Sequence, residues 1–124
     1  MTQEIEKNEW KKYLDDLSRE CLGWQTSVQI LNDETGAQIL SDGLPFCGLT
    51  YEQGKIELSA GVDKENHQTH VIFEPQRVAL EGSGHGPAGM LDIEDASGTK
   101  TLINFIQPMP ILMEYVETEV LVVV

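Results

Sequence analysis

The chain has 124 residues and a formal net charge of −13, from 21 acidic and 8 basic side chains. Affinity for nucleic acids and for anionic lipid surfaces comes from a surplus of Lys and Arg, so this balance argues against both as partners. The length is typical of one domain with a core of its own, and we expect residues 1–124 to form a single domain.

The N-terminal residues and the lack of a long apolar run favour a protein of the cytoplasm. The chain lacks the apolar run of a signal peptide and the roughly 18 consecutive apolar residues of a membrane helix. Cys21 and Cys47 are its only cysteines, and their separation is not that of a redox motif or a zinc site. Cys21 falls on the apolar register of the first predicted helix, so it is expected to be a buried thiol.

An amphipathic helix is predicted over residues 9–21. Its apolar side chains recur at helical spacing, at Trp10, Tyr13, Leu14, Leu17 and Cys21. Asn8 is placed to cap the start, and Gly23 can supply the left-handed residue that ends the helix. Trp10 and Trp24 fall on apolar positions and are expected in the core, although an exposed aromatic anchor for a partner is the alternative.

From residue 24 onward the period of the sequence changes to two, which predicts β-strands. Turn signals recur roughly every 8–12 residues. The segment Leu44–Gln53 is ambiguous, because Pro45 and Gly48 suit an edge strand or an irregular crossing better than a central strand. Together these signals predict an α+β fold, with the N-terminal helix packed on a curled, mainly antiparallel sheet or small β-barrel of about six to eight strands.

An apolar strand is predicted at the C-terminus, over residues 115–124. Glu117 and Glu119 give its first half one polar face, whereas both faces are apolar from Val120 onward. An exposed strand of this kind is an aggregation hazard that soluble proteins suppress. We therefore expect it to add a strand to a sheet, either within the chain or in a two-fold homodimer. The expected contact residues are Val116, Val120, Leu121, Val122 and Val123.

The glycine-rich segment 84–89 formally matches the G-x-G-x-x-G dinucleotide motif. That motif requires a helix directly after it, but the residues that follow alternate like a strand. Pro87 also removes one of the amide donors that a phosphate would use. A hairpin connection is therefore the better interpretation of this segment.

Three histidines, His67, His70 and His85, are candidate metal ligands. His67 and His70 would share one face of a helix, but residues at this spacing point to opposite faces of a strand, which the neighbouring residues favour. The competing interpretation is one inward-facing, hydrogen-bonded histidine and one on the surface. No sequence motif of a catalytic nucleophile is present, and no cofactor is indicated.

A set of positions spread along most of the chain carries a family resemblance. They are Glu9, Trp10, Tyr13, Ser18, Gly23, Trp24, Gly36, Ala37, Gln38, His67, His70, Ile72, Pro75, Val78, Leu80, Leu91, Ile93, Gly98, Thr99, Leu102, Phe105 and Pro108. With these residues, the sequence from about residue 4 to residue 112 resembles a family of short bacterial proteins classified only as a domain of unknown function. The resemblance implies no activity, ligand or catalytic residue.

The sequence as a whole favours a non-enzymatic protein-interaction or regulatory module, which binds another protein or a second copy of itself. This hypothesis rests on the acidic charge, the apolar C-terminal strand and the lack of a catalytic motif. Two alternatives stay open. A small-molecule or metal-binding module would show a closed pocket lined by His67 or His70, and an enzyme would show carboxylates or histidines that converge in a cleft.

Overall fold

The computed structural model describes residues 2–81 and 89–106. Within them, one α-helix, α1 (Trp10–Glu20), follows a short 3-10 helix at Lys7–Glu9 and packs on an eight-stranded sheet. The strands are β1 (Thr2–Ile5), β2 (Gln25–Asn32), β3 (Gly36–Glu52), β4 (Lys55–Gly61), β5 (His67–Phe73), β6 (Pro75–Glu81), β7 (Gly89–Asp95) and β8 (Lys100–Ile106). None of the described helices is long and apolar enough to span a membrane.

The strands lie in the order β1-β6-β7-β8-β2-β3-β4-β5, and all neighbours are antiparallel. His70 on β5 lies 3.4 Å from Thr101 on β8, although three strands separate them in this order, so the sheet curls over its core. The predicted α+β class and antiparallel sheet are confirmed, but the sheet formed by residues 2–81 and 89–106 is open and does not close into a barrel. Only Glu74 joins β5 to β6, and a hairpin needs about two loop residues, so β6 pairs elsewhere.

β3 belongs to two different pairings along its 17 residues. Residues 36–45 pair with β2, and residues 46–52 pair with β4. The change of partner follows Pro45, which has no amide hydrogen to donate, and a β-bulge lies just beyond it. The prediction that this segment suits an edge strand or an irregular crossing better than a central strand agrees with these pairings, because in the described residues each half of β3 pairs with one strand and Pro45 lies where one partner ends and the next begins.

The core lies between the apolar face of α1 and the inner face of the sheet. Trp10, Leu14, Leu17 and Cys21 are buried, and Trp24 packs against them at the edge of the core. Burial raises the pKa of the Cys21 thiol to about 11, so this side chain behaves as a small hydrophobic group, as predicted. The other core residues are Ile5, Val28, Phe46, Leu49, Ile56, Leu58, Ile72, Val78, Leu91, Ile93, Ile103 and Phe105.

Ser18 of α1 takes the place of a neighbouring strand beside β3. Its Oγ accepts a hydrogen bond from the N–H of Leu49 at 2.8 Å, and it lies 2.8 Å from the carbonyl oxygen of Leu14 and 2.9 Å from that of Leu49. β2 no longer pairs with β3 at this point, so the backbone of Leu49 would otherwise be buried without a partner. The serine therefore fixes the helix on the sheet.

Two predictions about the N-terminal region are wrong. β1 precedes the helix, although strands were expected only from residue 24 onward, because a four-residue strand with one buried side chain is too short to show a period. Asn8 is not the cap of α1, since it lies inside the 3-10 helix, and the capping residue Glu9 makes no side-chain hydrogen bond. Gly23 does adopt the predicted left-handed conformation, with φ of 83°.

Replacing Ser18 by alanine tests its role beside β3. Ser18→Ala leaves the buried N–H of Leu49 without its acceptor, so we expect the free energy of unfolding to fall by about 1–3 kcal/mol. Lys12→Ala, on the exposed side of the same helix, is the control and should cost less than about 0.5 kcal/mol. Urea denaturation measures both, and equal effects would show that Ser18 is not a structural contact.

Candidate functional site

The structure separates the histidines predicted as metal ligands. His67 is exposed, whereas His70 is half-buried, with Nε2 3.4 Å from Oγ1 of Thr101. Burial lowers the pKa of His70. The positions of His67 and His70 agree with the competing interpretation of the sequence, in which one histidine faces inward and the other lies on the surface. Within the described ranges, no group of three His, Cys, Asp or Glu side chains is arranged to hold a metal ion, and His85 lies outside those ranges.

Two other sequence candidates fall largely outside the described residues. Of the glycine-rich segment only Gly89 is described, and it is the first residue of strand β7, where a dinucleotide site would need a helix. The predicted C-terminal strand, 115–124, also lies outside the described part of the chain. The same holds for its expected contact residues, Val116, Val120, Leu121, Val122 and Val123.

The open edge of β5 is a feature that the sequence did not indicate. In the described part of the chain, β5 pairs only with β4, along all seven of its residues and without a register shift. A regular edge strand presents a row of backbone N–H and C=O groups to another strand. β5 is therefore a template for strand addition.

The direction of the backbone groups on β5 follows from the ladder beside it. Leu49 directs its N–H and C=O toward α1, so its partner on β4, Leu58, directs its own toward β5. The partner of Leu58 is His70, and hydrogen-bonded pairs alternate along an antiparallel ladder. The residues on either side, Thr69 and Val71, therefore point their N–H and C=O groups out of the sheet edge.

The composition of β5 leaves this edge unprotected. Natural edge strands are blunted by lysine, proline, bulges or short length. The strand at the other end of the sheet order, β1, has four residues and carries Glu4 in an ion pair with Arg77. β5 has seven residues without a formal charge, proline or bulge, in a chain that carries 21 acidic side chains. Phe73, at its end, is 63% exposed.

A surface cavity of about 480 Å³ lies at the start of β5. Its lining residues are Cys47, Gly61, Val62, Asp63, Lys64 and His67. Cys47 is the extra residue of the β3 bulge, and its thiol donates a weak hydrogen bond to the carbonyl of Gly61 at 3.4 Å. Asp63 accepts the backbone N–H groups of the turn. The cavity is an open depression rather than the closed pocket expected of a small-molecule site, and it holds His67 but not His70.

A buried carboxylate lies on the outer face of the sheet. Asp92 is 4% exposed, between Ala79 on β6 and Leu102 on β8. Among the described buried side chains, its Oδ1 is the oxygen that has no hydrogen-bond partner. Its Oδ2 lies 3.5 Å from Nη1 of Arg77 and 3.9 Å from Nζ of Lys100. Burial raises the pKa of Asp92, although the two cations act to lower it.

Asp92→Asn tests whether ionisation of this carboxyl opposes folding. The pKa of Asp92 is higher in the folded chain than in the unfolded chain, so its penalty is complete above the folded pKa and disappears as the pH falls through it. We expect the variant to be more stable than wild type at neutral pH, and this advantage to shrink toward acid pH. Glu57→Gln, which removes an exposed carboxylate on β4, is the control. Thermal melts over a pH series measure both, and a gain independent of pH would contradict the explanation.

Comparison with known proteins places the chain in a family. Residues 1–112 match the model described as "Family of unknown function (DUF5335)". The chain belongs to this family. It is also 26% identical to an uncharacterized protein of Aquifex aeolicus (strain VF5) over 110 residues, which cover 89% of this chain and 96% of the relative. No solved structure matches the chain. The family match includes β5 and Asp92 and ends before the predicted C-terminal strand.

Proposed function

We propose that this protein is a non-enzymatic protein-interaction module that takes up an extended segment of a partner along β5. The observation that carries the proposal is the uncharged, regular edge of β5, where the backbone groups of Thr69 and Val71 face outward. In strand addition of this kind, main-chain hydrogen bonds provide affinity, and contacts with alternate side chains provide specificity.

The side chains along β5 indicate what a partner strand would carry. Val71 and Phe73 are apolar and lie on the outer face of the strand. Lys55, the partner of Phe73 on β4, holds its Nζ 5.8 Å from the centre of the phenyl ring. An added strand with apolar residues beside Val71 and Phe73 would cover the exposed ring, while its polar residues would alternate with them.

The apolar C-terminal segment supplies a second element for the same kind of association. We propose that residues 115–124 act as a donor strand for an open sheet edge, with Val116, Val120, Leu121, Val122 and Val123 at the contact. Support comes from the alternating first half of the segment and from its fully apolar end. The partner is another protein or a second copy of this chain.

Site-specific cross-linking tests the function at the β5 edge. We expect benzoylphenylalanine in place of Thr69 to form a protein adduct in cells that express the full chain. The same residue in place of Gln38, which is exposed on the distant β2–β3 hairpin, is the matched control and should form none. Adding Val71→Pro should abolish the adduct, because it removes an outward N–H. No adduct at Thr69, or one that Val71→Pro leaves unchanged, would contradict the proposed function.

A further inference from the structure

We propose that the strand that pairs with β5 is β5 of a second copy, antiparallel to it about a two-fold axis at His70. This inference rests on the proposed function and names the partner at that edge. The pairing would join two eight-stranded sheets into one continuous sheet. It requires that the register be self-complementary, that the edge not repel its copy, and that the side chains fit.

The register of β5 is self-complementary about His70. A two-fold axis at this residue sets Thr69 opposite Val71 of the second copy, and His67 opposite Phe73 of the second copy. All four residues are an odd number of positions from His70, so all direct their N–H and C=O groups out of the edge. Each opposed pair is therefore a hydrogen-bonded pair, and no outward group within the paired segment is left without a partner.

The charge of the chain favours this edge over the rest of the surface. Each copy has a formal net charge of −13, so most contacts between copies would bring carboxylates together. β5 itself carries no formal charge; the nearest acidic side chains are Glu57 on the adjacent strand, opposite Val71, and Glu65 and Glu74, which flank β5 outside the paired residues. In the dimer, the two β4 strands are three strand spacings apart, about 14 Å, which exceeds the Debye length of about 8 Å at physiological ionic strength.

The side chains on both faces of β5 fit the same pairing. On the outer face, the ring of Phe73, now 63% exposed, meets His67 of the second copy as a cross-strand aromatic pair. On the inner face, the two His70 side chains meet at the axis. Burial lowers the pKa of His70, which favours the uncharged imidazole and reduces repulsion between the two rings.

The test is the oligomeric state of the full chain with Thr69→Pro, measured by analytical ultracentrifugation over a concentration series. The N–H of residue 69 points out of the edge, so proline there leaves the ladder with β4 intact. We expect wild type and Thr69→Val to be dimers. In Thr69→Pro the dissociation constant should rise by about 25-fold, because two interface hydrogen bonds are lost, each worth about fivefold. Higher salt should tighten the wild-type dimer.

Further variants keep each outcome interpretable. Gln68→Pro removes an N–H that points toward β4, so it should disrupt the fold, whereas the circular dichroism of Thr69→Pro should match wild type. Should Thr69→Pro unfold, Val71→Glu repeats the test, since it leaves the backbone intact and places like charges near the axis.

A dimer that survives these edge variants overturns the inference, and loss of that dimer in Val122→Glu would assign the contact to the C-terminal segment. A monomeric wild type also overturns the inference. The proposed function then stands if cross-linking at Thr69 still captures a different protein, and fails if it captures none.

Discussion

The arrangement of this fold depends on the change of partner along β3. Up to Pro45 the strand pairs with β2, and beyond it the strand pairs with β4 on its other side. The second half of β3 therefore has one side without a strand, and α1 fills that side through the hydroxyl of Ser18 and the backbone of Leu49. This contact also sets the alternation of backbone groups across β4, so it determines which groups of β5 face outward.

The short connection between β5 and β6 leaves β5 at the edge of the sheet. Glu74 is the single residue between β5 and β6. Its φ is 52°, a value that residues other than glycine rarely adopt. The chain therefore leaves the end of β5 directly for the far side of the sheet, where β6 pairs with β1 and β7. An unprotected edge is a hazard for most proteins. In a chain with a net charge of −13, the uncharged edge is the basis of the proposed strand pairing.

Asp92 shows how the outer face of the sheet is held together. Its carboxylate lies beneath Arg77, whose Nε also donates a hydrogen bond to Glu4 at 2.7 Å. The guanidinium thus links β7 to β1 across β6, which helps to keep the four-residue edge strand in place. The desolvation of Asp92 opposes folding, and the two ion pairs offset part of that cost.

The sequence by itself determined the features that depend on neighbouring residues: helix α1, the buried Cys21, the left-handed Gly23, the antiparallel α+β class, and the opposite faces of His67 and His70. Each follows from a period or from local backbone preference. The tertiary structure decided the change of partner at Pro45, the pairing of β1, the burial of Asp92 and the open edge of β5. An alternating pattern of polar and apolar residues shows which face of a strand a residue occupies, but it does not show which strand lies beside it. Which strands become neighbours depends on contacts between residues distant in the chain, such as Ser18 with Leu49. The candidate site at the edge of β5 depends on the same kind of contact.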